Sequence, residues 1–73
     1  MEIGRKAVSR QEYVTFEGVE VIRETTDALL CQIEGKEIWM PKSQLSEESE
    51  VRGDGDKGDL VCSEWIANQK GLI

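Results

Sequence analysis

Apolar and polar residues alternate with a period near two in Val19 to Thr25 and again around Trp39, and the runs between punctuating glycines and acidic turns are short. Tyr13 to Phe16 is β-prone, with Tyr, Val, Thr and Phe in a row, and Glu17-Gly18 is expected to break it. Val19 to Thr25 alternates, so Val19, Val21 and Arg23 should face one way and Glu20, Ile22 and Glu24 the other. Thr25-Thr26-Asp27 reads as a polar turn. Ala28 to Ile33 is apolar on both faces, as a central or barrel strand would be. Glu34-Gly35-Lys36 supplies a hairpin turn and Glu37 to Met40 the return strand, which Pro41 should end or confine to a sheet edge.

The pattern weakens after Pro41. Residues 43–50, SQLSEESE, hold a single apolar residue, Leu45, and predict a turn or a 3₁₀ segment. Val51 could begin a further short strand. Arg52 to Asp59, RGDGDKGD, is rich in glycine and charge and predicts a loop. Leu60-Val61-Cys62 is a last strand. A short helix follows, with Ser63 as N-cap, Glu64 in its first turn, Gly71 just beyond its end, and Leu72 folding back on Ala67 or Ile66. Trp65, Ile66 and Leu72 are expected to form its buried side.

Four or five short strands with closely spaced turns, then one helix, predict a mainly β fold with one short C-terminal helix. The expected form is a small bent antiparallel sheet or an SH3-like barrel. The doublets Val21-Ile22 and Leu29-Leu30 interrupt strict alternation and predict bulges. With 73 residues the chain is expected to be one domain, residues 13–73, preceded by a basic N-terminal arm, residues 1–12, either frayed or an edge strand.

Charge changes this picture little for the fold but more for function. Residues 1–10 hold three basic residues and one acidic one, a net of +2. The remainder hold six basic and 14 acidic residues, a net of −8, and the two sum to the overall −6. Such an acidic body repels phosphate, disfavours nucleic acid and favours a basic protein partner. The leading segment lacks the apolar stretch of a secretory signal, and no run approaches the length of a membrane span. The expectation is a cytoplasmic protein with no membrane contact. In that compartment Cys31 and Cys62, each in an apolar run, read as small core residues.

The chain has no histidine. Ser-His and Cys-His nucleophiles are therefore impossible within one chain, and the commonest general base is missing. The carboxylate pairs Glu47-Glu48 and Asp54/Asp56 lie in polar loops, where little would raise a pKa. No enzyme activity and no cofactor are expected. Asp54, Asp56 and Asp59 glance at a calcium loop, but the fifth, sixth and twelfth places counted from Asp54 hold Gly58, Asp59 and Trp65, which fails the pattern. Two distant cysteines supply half a zinc site, so no metal is assigned. Arg52-Gly53-Asp54 reads as a turn rather than an adhesion tripeptide, and Lys42-Ser43 lacks the glycines of a phosphate loop.

The aromatic residues point to a surface. Alternation puts Trp39 opposite Ile38 and Met40, so if those two face the core, Trp39 faces out. An exposed Trp is an interface anchor or a stacking platform for bases. The candidate binding residues are Trp39 as anchor, Lys42 and Tyr13 beside it, and Glu47, Glu48 and Glu50 steering a basic partner. A competing arrangement packs Trp39 under the C-terminal helix beside Trp65.

The runs VIRET, EGKEIWMPKSQ and LVCSEWIANQKGL resemble a set of small bacterial and phage-type proteins. In these a hairpin ends in Trp-x-Pro-Lys-Ser and the chain closes with a Ser-Glu-Trp-Ile-Ala helix. The resemblance covers most of residues 19–72. It implies a β-rich accessory protein rather than an enzyme, and assigns no residue roles. Three functions follow as expectations. The first is an acidic accessory or regulatory protein, phage-derived in kind, that binds a basic protein surface. The second is a single-stranded nucleic-acid binder in which Tyr13, Phe16 and Trp39 stack on bases while Lys36, Lys42 and the arm contact phosphate. The third is a structural subunit of a homo-oligomer.

Overall fold

The computed structural model describes residues 12–73. Residues 1–11, and with them all but the last residue of the expected basic arm, lie outside the described part. Four strands, β1 (Tyr13–Glu24), β2 (Ala28–Ile33), β3 (Lys36–Pro41) and β4 (Lys57–Ser63), form one antiparallel sheet in the order β3-β2-β1-β4. A 3₁₀ turn (Lys42–Gln44) follows β3, and helix α1 (Glu64–Gln69) closes the chain. The fold is the expected mainly β class with one short C-terminal helix. The sheet is open, because β3 and β4 do not pair, so it takes the bent-sheet form rather than that of a closed SH3-like barrel.

The expected break at Glu17-Gly18 is instead a bulge within one long strand. The register with β4 shifts between Phe16 and Val19, where Gly18 takes φ +68°. A glycine reaches that conformation without the cost other residues meet. The chain bends there but keeps its sheet pairing. As a result Phe16 and Val19 both reach the core. A second shift, between Val21 and Arg23, realises the bulge expected at Val21-Ile22. It also corrects the expected faces. Val21 opposes Cys31 on the core side, but Arg23 opposes Leu30, so Arg23 leaves the face of Val19 and Val21. The Leu29-Leu30 doublet needs no bulge: Leu29 is buried, and Leu30 lies on the opposite face of an unbroken ladder.

The β2–β3 hairpin turns on Glu34 (φ +52°) and Gly35 (φ +83°). Two consecutive positive φ angles give the tight turn whose twist matches that of the strands. It fixes the register Ile33↔Lys36, Cys31↔Ile38 and Leu29↔Met40.

The core lies on one face of the sheet. It contains Phe16, Val19, Val21, Leu29, Cys31, Ile33, Met40, Leu60 and Cys62 from the strands, Val51 from the long loop, and Ile66 and Ala67 from α1. Ser63 caps α1 as expected, its Oγ accepting from the Ile66 N–H. The Leu72 N–H donates to the Ala67 carbonyl and that of Gly71 to Asn68, which turns Leu72 back onto the core. Trp65 corrects the expected buried side: it is 59% exposed. With Ile66 and Ala67 facing the sheet, the helical turn carries residue 65 away from it.

The polar run 43–50 begins with the expected 3₁₀ turn, and its remainder pairs with β4. Leu45 bridges Cys62, the Ser46 N–H donates to Val61 O, and the Glu50 and Val51 N–H groups donate to Asp59 O. This segment therefore covers the outer edge of β4. Ser49 is buried within it, with its Oγ donating to Val51 O and accepting from the Val61 N–H. Val51 is fully buried but starts no strand, and β4 begins at Lys57, earlier than expected.

Candidate interaction surface

Trp39 lies on the sheet face opposite the core. Its cross-strand partner is Leu30, and Leu30 in turn opposes Arg23. Met40 beside it is fully buried and Ile38 packs partly against the core, so the alternation expected from sequence holds. Trp39 is 41% exposed. It does not pack under α1, which contacts β4 and β1. One step along the sheet, Glu37, Gln32, Glu20 and Lys57 form a polar row on the same face. Half-buried Ala28 and Pro41 oppose each other on the other side of Trp39. The surface is thus an aromatic residue on a small apolar base, with Glu37 two residues away on its own strand.

The other expected site residues do not gather around it. Tyr13 is 50% exposed but pairs with Ser63 at the far end of β1. Arg23, which marks the level of Trp39, is ten residues further along that strand, roughly 30 Å away at strand rise. Tyr13 is therefore not a neighbour of Trp39. The expectation fails because β1 is one long strand and not two short ones stacked side by side. Phe16, expected to stack on bases, is a core residue.

Lys42 is close to Trp39 in sequence but is committed elsewhere. Its ammonium pairs with Glu24 and its N–H donates to Asp27 O. Glu24 also accepts from the Asp54 N–H at 3.0 Å, so one carboxylate ties together the ends of β1 and β3 and the glycine-rich loop. The Lys42 hydrogen bond first, then that of Asp54, hold the Glu24 carboxyl below the usual glutamate range. Glu47, Glu48 and Glu50 lie beyond β4, on the opposite side of the sheet from β3. Glu47 and Glu48 are exposed, and the Ser46 Oγ accepts from the Glu48 N–H. Glu50 is engaged in the fold itself. Its Oε1 accepts from the Asp59 N–H at 2.9 Å, and its side chain lies over Gly58. None of the three borders Trp39.

In the glycine-rich loop Asp56 Oδ2 accepts from the Arg52 and Gly53 N–H groups, both at 2.9 Å. The acidic loop thus spends its carboxylate on its own backbone, as a turn does. Among the described residues no group of three or more His, Cys, Asp or Glu is placed to hold a metal ion. Cys31 and Cys62 are free and buried. Burial, and then the neighbouring Cys62, push the Cys31 thiol up to about 11, and burial raises Cys62 as well. Such thiols are poor nucleophiles near neutral pH. No helix among the described residues is long and apolar enough to cross a membrane.

Glu37, Leu30 and Arg23 join the surface without having been expected there. Glu37 is legible in the sequence, because alternation places it on the face of Trp39. Arg23 is not, because only the bulge brings it there. No protein-family model matches the chain, and no curated protein or solved structure gives a significant match.

Proposed function

We propose that this protein acts by binding another protein, as a small acidic accessory factor of the phage type, with Trp39 as the anchor and a basic partner surface as its target. The observation that carries the reading is the exposed Trp39 on the non-core face, paired across the ladder with Leu30 and on the same face as Glu37. A partly exposed aromatic residue on a rigid strand can fill a partner pocket with little ordering cost. The described residues hold six basic and 14 acidic side chains, which favours encounter with a positive partner.

The steering residues are reassigned from Glu47, Glu48 and Glu50 to Glu37 and Glu20, which share the face of Trp39. The stacking arrangement of the nucleic-acid reading is not assembled, because Phe16 is buried, Tyr13 is distant and Lys42 is paired. The test is binding by a Trp39→Ala variant that keeps its fold. The reading expects loss of the partner, whereas retention of the partner contradicts it.

A further inference from the structure

The two edges of the sheet differ. The outer edge of β4 is covered by residues 45–51 through main-chain hydrogen bonds. The outer edge of β3 has no strand or loop paired to it among the described residues. The hairpin register decides which groups it presents. Ile33↔Lys36 closes a two-residue turn, so Lys36, Ile38 and Met40 bond inward to β2, and the N–H and C=O of Glu37 and Trp39 point outward. The same two residues carry the exposed side chains of the candidate surface. Pro41, with no N–H, ends the open stretch.

We infer that the partner segment binds as an added antiparallel strand on β3, and that it is an extended basic peptide with Arg or Lys at two positions two residues apart and an apolar residue between them. The inference rests on the protein-binding reading above. It follows from the pleat. Partner residues opposite Glu37 and Trp39 lie on the outer face, where a cation meets the Glu37 carboxylate and a guanidinium stacks on the Trp39 indole. The residue between them lies on the core face, opposite the partly buried Ile38. Main-chain pairing then supplies affinity, and the alternate side chains supply selectivity. A second copy of this chain fits less well, because each copy carries a net charge of −6.

The probe is the blocked peptide Thr-Val-Arg-Val-Arg-Val-Thr, tested against the full chain by calorimetry and by amide hydrogen exchange. Two controls carry backbone N-methyl groups, one on both Arg residues and one on the central Val. In the added-strand pose the Arg N–H groups face β3 and the Val N–H faces solvent. Methylation at Arg should weaken binding about tenfold or more, the effect of two lost main-chain hydrogen bonds. Methylation at Val should leave it nearly unchanged. Exchange at the Glu37 and Trp39 amides should slow only in the complex, while Ile38 and Met40 stay protected throughout. If both methylated peptides bind like the parent and Trp39→Ala still loses it, strand addition is wrong and the anchor survives. If Trp39→Ala binds the parent normally while methylation at Arg still weakens binding, the anchor falls and strand addition survives; if neither change weakens binding, both readings fall. Failure of the parent peptide to bind overturns the inference. So does concentration-dependent protection of the Glu37 and Trp39 amides without peptide, which would assign the edge to a second copy.

Discussion

At the scale of single residues, what holds this small fold together is placement in confined space. Gly58 takes φ +150°, and a Cβ there would meet Glu50 Oε1 at 2.5 Å. Gly58→Ala should therefore cost about 1–3 kcal/mol in denaturant unfolding, from backbone strain plus the clash. Adding Glu50→Ala should relieve the clash but not the strain. The buried thiols give a second expectation. Cys31 has a folded pKa of about 11 against an ordinary value of 9.0, so between these values the native state holds a proton that the unfolded state has released. The contribution is fully present below pH 9 and is lost as pH rises toward 11. The Tm should fall over that window, and Cys31→Val should flatten the decline. An unchanged slope in that variant would assign the alkaline loss to other groups.

At the scale of elements, caps and turns are the most legible features. Ser63, Gly71 and Leu72 each announce their roles locally, because a cap needs only its own turn. Ser63→Ala should cost about 1 kcal/mol, read as a lower midpoint in thermal unfolding with an unchanged folded-state circular dichroism spectrum. A larger loss is expected if the Ser63 Oγ bond to Gln44 Oε1, at 2.6 Å, also matters to the 3₁₀ turn. The hairpin and its register are legible for the same local reason. The continuity of β1 is not. Glu17-Gly18 signals an interruption, and nothing local distinguishes a break from a bulge; the decision is made by β4, which pairs on both sides of it. The run 43–50 is legible as far as its 3₁₀ turn at Lys42–Gln44, but not in how its later half packs. Its serines and glutamates look solvated, yet Ser49 and Glu50 face β4 backbone groups supplied by residues about ten positions later.

At the scale of the whole molecule, the same long-range pairing separates what sequence proximity joins. A continuous β1 carries Tyr13 to one end and the Trp39 level to the other, and the strand order puts Glu47, Glu48 and Glu50 beyond the far edge. Of the expected site, Trp39 alone remains as an exposed anchor candidate, and the residues that share its surface are Glu37 on its own strand and residues of β1 and β2. Two exposed tryptophans on different parts of the fold supply a control. Trp39→Ala and Trp65→Ala should each change stability by only about 1 kcal/mol, since both side chains keep much of their surface in water. They should differ in binding. The most direct measurement is affinity capture from lysate of the source cell after nuclease treatment, with wild type, Trp39→Ala and Trp65→Ala run in parallel at matched folded concentration. The protein-binding account predicts one defined protein retained by wild type and Trp65→Ala and lost from Trp39→Ala. Retention by Trp39→Ala, or capture that disappears with nuclease, would contradict it.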